Sequence, residues 1–445
     1  MRLSRYFQFN QFPGFDSKIL KRNILMHILD GTIFFFAMSL ISVSTILPVF
    51  IQRIGGNPIA IGSVSVLWYL GLNLPQLLFI RFSHNKERIK PTVLWTGLLY
   101  RTQFFIIAAV CFLFLGNLDP SISVPLMLIL IFITTIVGST AGPPWFHFFS
   151  KTTPVKLRGR LLAVRLLLGS ALGIVGGSAV TFILSTIAYP HNFALLFLIS
   201  FIFTMISFFF LRRIEEPENE MQWRDTSEKR INKVNVPKSL KEIFKQSGKI
   251  LNKNKNFKNY LVADALILMS LTAAGFYAAY GINKFHLPTS YSGTFTIILM
   301  TSQVIGNIIF GYLGDYFGHK INIILLAASS GLASLCSVLF NNVWLFGIVF
   351  VFTGFTLTIQ IVSRLALVAE MCSETERPIY IALLNTMTAP TILFGILGGL
   401  LITIIGYEQV FLIYSFISLS GVIWLYKKVN EPRNLKIPDA NTSGH

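Results

Sequence analysis

Apolar residues gather into runs of about 20, long enough for a helix to cross the ~30 Å hydrocarbon core of a bilayer. Short clusters of Pro, Gly, Asn or charge separate them. No strand-length alternation recurs, as a barrel would require. The pattern predicts an all-α integral membrane protein with twelve transmembrane helices, at 24–50, 58–80, 92–116, 122–148, 159–188, 192–212, 259–283, 292–316, 321–340, 344–370, 379–405 and 408–427. The one long hydrophilic stretch, 213–258, divides six spans from six. The organisation expected is a cytosolic N-terminal segment (1–23), a six-helix bundle (24–212), a cytosolic central loop (213–258), a second six-helix bundle (259–427) and a cytosolic tail (428–445). Within the loop, Leu240, Ile243, Phe244, Ile250 and Leu251 recur at helical spacing among lysines. That suits either a helix lying on the inner leaflet or a plain solvated linker.

Composition agrees: 53% of the 445 residues are hydrophobic and only 13% charged, outside the range of soluble domains. A net charge of +18 suggests nucleic acid until the charges are placed. With the N-terminus inside, only Arg53 and Lys284 fall on the outer side, and Arg101, Arg165 and Arg364 fall within spans. All other Lys and Arg face the cytosol, so the charge reads as topology against anionic inner-leaflet lipid, with no nucleic-acid partner. Trp95, Trp344 and Trp424 lie near span ends, as interfacial indoles do. The basic N-terminus lacks an apolar core followed by a cleavage site, so it is expected to stay attached and cytosolic. Cys111, Cys336 and Cys372 have spacings that suit neither a disulfide framework nor a metal, and no cofactor is expected. Neither a nucleotide-binding loop nor a catalytic constellation is found, so ATP-driven transport and a membrane enzyme are both unsupported.

The two groups of six carry weak internal repeats. Lys156-Leu-Arg-Gly-Arg-Leu-Leu-Ala-Val-Arg165 leads to Gly176-Gly177, and Glu376-Arg-Pro-Ile-Tyr-Ile-Ala-Leu-Leu-Asn385 leads to Gly398-Gly399. The first and seventh spans each bear an early acid, Asp30 and Asp264. Between the eighth and ninth spans stands Gly311-Tyr-Leu-Gly-Asp-Tyr-Phe-Gly-His-Lys320. This stretch resembles the turn between the second and third helices of each half in the major facilitator superfamily, commonly Gly-x-Leu-Ala/Gly-Asp-x-x-Gly-Arg/His-Lys. With the twelve spans, the central loop and the basic 156–165 connection, the resemblance covers nearly the whole chain. It implies two pseudo-symmetric six-helix bundles that move a solute by alternating access. In the first half, Leu77-Leu-Phe-Ile-Arg-Phe-Ser-His-Asn-Lys86 keeps the terminal lysine but places Arg81 at the aspartate position and has no glycine. No subfamily motif is complete.

In the second-half turn, Gly311, Gly314 and Gly318 permit positive backbone angles and close helix approach. Asp315 is suited to accept from amides at a helix start, which the resemblance makes the eleventh span near Pro378. His319 and Lys320 face the cytosol, with Glu370 and Arg377 as charged neighbours. Arg158, Arg160, Arg165 and Asn385 complete the expected cytoplasmic gate, Arg165 and Asn385 at matching places. A plain positive-inside loop is the alternative.

Ionisable residues within spans cost ~2.5–3.5 kcal/mol each at a helix centre, so each is a functional candidate. The resemblance makes spans 1, 4, 7 and 10 line a central cavity, which singles out Asp30, Asp264 and Arg364. Asp30 either titrates in proton coupling or pairs with His27 or Arg101. Asp264 lies nearer the cytoplasmic edge, where a structural role is the competing reading. Thr353, Gln360 and Arg364 share a face of the tenth span; Arg364 meets a substrate anion or pairs with Glu370 or an acid on the seventh or eleventh span. Thr296, Met300, Gln303, Asn307 and Gly311 share a face of the eighth, serving either the cavity or interhelical hydrogen bonding. Gly142-Pro143-Pro144 is expected to break the fourth span, with Trp145 beyond it as cavity wall or interfacial anchor. Tyr277 and Tyr280 are candidate cavity aromatics.

The function expected is secondary active transport of a small solute across the cytoplasmic membrane, coupled to protons, by a monomer with both termini cytosolic. Aromatic and methionine abundance fits export of apolar or cationic compounds, while Arg364 fits an anion, so efflux and uptake both stand. The alternative is a transporter-like receptor or scaffold, which the degenerate first-half turn leaves open.

Overall fold

A computed structural model describes residues 16–73, 88–217, 248, 250–373 and 376–434. Arg81 with the 77–86 stretch, and Leu240, Ile243 and Phe244 of the loop, lie outside these residues. All regular structure among the described residues is helical. In chain order the helices are α1 (Ser17–Ser39), α2 (Leu47–Arg53), α3 (Pro58–Asn73), α4 (Lys90–Leu113), α5 (Pro120–Thr152), α6 (Val155–Thr186), α7 (His191–Arg212), α8 (Lys255–Leu271), α9 (Tyr277–Lys284), α10 (Tyr291–Phe317), α11 (His319–Leu339), α12 (Val343–Glu370), α13 (Arg377–Thr388), α14 (Phe394–Ile405) and α15 (Tyr407–Lys428). Ten helical segments among the described residues are long and apolar enough to span a membrane, and Pro58–Asn73 is a shorter apolar helix.

Three expected spans are interrupted. The first divides into α1 and α2 across a turn in which the Ser42 carbonyl accepts from Ile46 N and Leu47 N at 2.9 and 3.0 Å, and Pro48 opens α2. The seventh divides into α8 and α9 around a 3-10 turn, Thr272–Gly275. Its Thr272 hydroxyl donates to Met269 O at 2.7 Å, a local bond that competes with the helix. The eleventh divides into α13 and α14 around Ala389–Leu393, which contains Pro390.

Two expectations for the fourth span are corrected. Pro143 and Pro144 lie inside α5, which continues to Thr152. Proline removes a donor, yet its fixed φ is helical, and membrane helices tolerate it. Only Thr153 and Pro154 separate α5 from α6, so Lys156, Arg158 and Arg160 belong to the opening turns of α6 and not to a loop.

The chain forms two compact units, Met1–Trp223 with Gly275–Thr301, and Arg224–Ala274 with Ser302–His445. In the first, α1 packs on α6 and α7, α4 on α5 and α7, and α3 on α5. The 275–301 segment closes on α6 at backbone distance: a Cβ on Gly177 would lie 2.9 Å from Gly293 O, and one on Gly293 would lie 2.6 Å from Gly177 O. Thr45 and Thr296 hydroxyls meet there at 2.6 Å. In the second unit, α11 packs on α12 and α15, and α8 on α15. Phe257, Tyr260, Leu326, Leu367 and Tyr380 are core residues at the end of this unit that holds the 311–320 turn.

Candidate functional site

Each unit buries one acid of its first long helix against arginine. In the first unit, Asp30 on α1 accepts from Arg165 Nη2 at 3.0 Å through Oδ2 and from Ser207 Oγ at 2.7 Å through Oδ1. Arg101 Nη2 stands 3.7 Å from Oδ1. Arg101 is otherwise spent on the protein: Nε donates to Thr204 O (2.8 Å), Nη1 to Gly97 O (2.9 Å) and Nη2 to Ser207 Oγ (3.2 Å). Two guanidiniums thus face one carboxylate. Aromatic faces accommodate the surplus charge, with Arg165 Cζ 4.9 Å from the Trp145 centroid and Arg101 Cζ 5.3 Å from that of Phe208. Trp145, itself stacked on Phe149, is therefore a platform beneath Arg165. His27 is fully buried and bonds Thr152 Oγ1 (2.8 Å), with Nδ1 3.5 Å from Arg165 Nη1. Gly31 makes the room: any Cβ there would collide with Arg165 Nε.

In the second unit the acid is met from another helix. Arg364 on α12 binds Asp264 on α8 as a fork, with Nε at 2.9 Å from Oδ1 and Nη2 at 2.7 Å from Oδ2. The same guanidinium donates to Asn385 Oδ1 (3.0 Å) and Thr388 Oγ1 (3.1 Å) on α13. Tyr260 packs beside it, donating its hydroxyl to Arg364 O at 3.2 Å. Arg165 and Asn385, at matching places of the repeat, are thus both bound into the acid clusters.

The 311–320 stretch is tighter than its glycines suggest. α10 ends at Phe317 and α11 begins at His319, so Gly318 alone turns the chain, at φ 90°. Gly314 serves close approach: a Cβ there would lie 2.8 Å from His319 Cε1 and 3.0 Å from Asn322 Nδ2. Gly311 has open space around it. His319 Nδ1 and Asn322 Nδ2 both reach Ser363 Oγ, at 3.1 and 2.8 Å, tying the turn to α12.

Asp315 departs from expectation. Its side chain is exposed and its carboxylate accepts no hydrogen bond among the described residues. The start of α13 has little to offer it, because Pro378 has no amide and the amides of Arg377, Ile379 and Tyr380 donate to Ser373 O and Glu376 O. The contact is made instead by Arg433, beyond α15, which donates to Gly314 O and Asp315 O at 2.9 Å each. Glu370 pairs with that same Arg433 (2.8 Å), while Arg377 Nε donates to Ala369 O at 3.3 Å.

Arg433 belongs to a strap that sequence reasoning missed. Asn256, at the start of α8, donates Nδ2 to Asn430 O (3.0 Å) and accepts from Asn430 N (2.7 Å). Asn23 on α1 makes the same reciprocal pair with the Glu215 backbone, 2.9 Å each way. The next residue in both copies is glutamate. Glu216 accepts from Ile89 N (3.0 Å) and Lys90 N (2.9 Å), capping α4. Glu431 lies against Gly318, where a Cβ would come within 2.7 Å of Oε1. The signal was present as Glu216-Pro217 and Glu431-Pro432, each a few residues past the sixth and twelfth spans.

The remaining candidates have these places. Tyr277 and Tyr280 are buried in the first unit, with Lys284 Nζ 5.4 Å from the Tyr280 ring centroid. Asn307 donates to Gln303 O at 2.8 Å on α10, both half-buried. Gln360 and Lys320 are half-buried and Arg160 is exposed. Arg158 ties back the end of α5, donating to Ser150 O (2.7 Å) and Thr153 O (3.1 Å).

The family profile of the Major Facilitator Superfamily matches residues 29–290 and 262–443. The chain belongs to the Major Facilitator Superfamily. It shares the fold of a D-xylose-proton symporter at TM-score 0.67 and 15% identity, over 94% of this chain and 99% of that one. The nucleoside transporter NupG superposes at TM-score 0.63 and 12% identity, over 92% and 98%. An auto-inhibited POT family peptide transporter superposes at 0.63 and 9%, over 96% and 99%. No curated protein matches the chain in sequence.

Proposed function

We propose that the protein is a secondary active transporter that carries a small solute across the cytoplasmic membrane by alternating access, with protons as coupling ions and Asp30 as their carrier. The observation that supports this reading is the Asp30 cluster, where one buried carboxylate holds Arg165 and Ser207 and stands beside Arg101. A proton on Asp30 removes the anion that holds Arg165, leaving two guanidiniums without a counterion in a low-dielectric site. The solved relatives are named as carriers of xylose with protons, of nucleosides and of peptides, all small polar solutes. On this reading both termini are cytosolic, the protein acts as a monomer, and the Arg433-held turn is part of the cytoplasmic gate.

Transport in proteoliposomes under an imposed pH gradient tests it. Gradient-driven accumulation of a solute that is lost in Asp30→Asn, while counterflow exchange of that solute persists and shows the variant folded, supports proton coupling through Asp30. Gradient-driven accumulation that proceeds unchanged in Asp30→Asn removes Asp30 from the mechanism.

A further inference from the structure

The Asp264–Arg364 pair leaves polar groups unspent. Of the five guanidinium N–H groups, Nε and Nη2 serve Asp264 and Thr388, and one on Nη1 serves Asn385 Oδ1. The second N–H on Nη1 meets no acceptor among the described residues. Asn385 is exposed, and its Nδ2 likewise donates to no described residue. Gln360, one turn before Arg364 on α12, is half-buried and makes no hydrogen bond among the described residues. Thr386, beside Asn385, is exposed.

Gln360, Arg364 and Asn385 lie within helical segments long and apolar enough to span a membrane, Val343–Glu370 and Ile379–Ile405. Arg364 precedes the end of α12 by six residues and Asp264 follows the start of α8 by nine, ~9 and ~14 Å along the helix axes at 1.5 Å per residue. Hydrocarbon offers no acceptor to an unmet amide or guanidinium N–H, so such a group is disfavoured there. The three groups therefore face water or a solute and not lipid.

Their charge decides the ligand. Asp264 matches Arg364 as a fork at 2.7–2.9 Å, so the cluster is electrically neutral. What remains is two amides and one N–H, a set that recognises hydroxyl and carbonyl oxygens. An anion would gain no net charge there unless Asp264 withdrew.

We infer that Gln360, Arg364 and Asn385 form a binding subsite for an uncharged solute bearing hydroxyl or carbonyl groups. The inference rests on the transporter reading and narrows its substrate class. It departs from the anionic ligand that Arg364 alone suggests.

Thermal unfolding of the full chain in detergent tests it, with xylose, glucose and uridine as uncharged probes and gluconate and uridine monophosphate as anionic counterparts. A ligand raises the unfolding temperature in proportion to its occupancy. At least one uncharged probe is expected to stabilise the protein, and its anionic counterpart to do so more weakly. Gln360→Ala loses no hydrogen bond and Asn385→Ala loses one, so both are expected to fold; each weakens the probe's apparent affinity 10-fold or more. Asp264→Asn leaves Arg364 unmatched and reverses the preference towards the anionic member of the pair. If Asp264→Asn fails to fold, the other two variants decide. The proposal is overturned if anions stabilise the native protein as well as uncharged probes, if stabilisation survives both alanine variants, or if none of the five probes binds. Binding with these properties but without counterflow of the bound probe would count against the transporter reading and leave the subsite standing.

Discussion

Arg433 donates its Nη2 to the carbonyl of Gly314 at 2.9 Å, so a residue beyond the last long helix guards the turn between α10 and α11. The bond matters because that carbonyl lies at the end of α10, where free acceptors and the negative end of the helix dipole favour a cation. Arg433 also holds Asp315 O and Glu370. Arg433→Ala is therefore expected to cost about 1–3 kcal/mol, read as a lower unfolding temperature in detergent. Asp315→Asn, which removes only the charge of an exposed carboxylate, should leave that temperature unchanged. An equal loss in both variants would show that Asp315 has a partner in the resting fold.

The glycines of the turn separate by role. A methyl group at Gly314 would press on His319 and Asn322, so Gly314→Ala is expected to destabilise. Gly311 lies within α10 with nothing near its missing Cβ, so Gly311→Ala should be neutral or stabilising by up to about 1 kcal/mol through helix propensity. Thermal unfolding of the two variants side by side checks this.

In the first unit, Gly177 and Gly293 touch through backbone. Replacing either by leucine should prevent the 275–301 segment from seating on α6, because neither backbone can yield as a side chain would. Disulfide trapping reads the seating. With Thr45→Cys and Thr296→Cys paired, cross-linking is expected in an otherwise native chain and should fall sharply when Gly293→Leu is added.

Asp30 serves two arginines, and its loss should exceed that of either partner. Asp30→Asn leaves two buried cations and is expected to cost about 3–5 kcal/mol. The double variant Asp30→Asn, Arg165→Gln should recover part of that loss. A double-mutant cycle on unfolding free energy measures the coupling, and strict additivity would contradict the pairing.

Cys372 is buried between α12 and α13, its Sγ 3.3 Å from Val368 O. Burial pushes its thiol up to about 11. Only the thiolate reacts, so maleimide labelling at neutral pH should be about 100-fold slower than for a free thiol and should rise about tenfold per pH unit until it levels off near that value.

The fold class was legible because hydrocarbon imposes one length and one secondary structure, and the 311–320 turn was legible because three glycines and an acid are out of place in an apolar chain. The ion pairs were half legible. Arg364 with an acid on the seventh span stood among the alternatives, whereas the hold of Arg165 on Asp30 did not, because it depends on α1 and α6 packing closely enough for Gly31 to matter. Helix ends were read poorly at Pro154, where two residues suffice for a reversal that polar composition spreads over ten. Asp315 misled because a carboxylate draws attention, while the contact falls on its carbonyl, which every residue possesses. The straps escaped notice since Asn23 and Asn256 act on backbone groups that carry no sequence label.

Those two asparagines have a consequence for the integrity of the chain. Each fastens the first long helix of a six-span group to the residues that leave its last, Asn23 to Glu215 and Asn256 to Asn430. Both groups are closed loops, buckled at their own ends. A chain severed between Pro217 and Gly248 would leave both buckles done up, because each joins two residues on the same side of the cut.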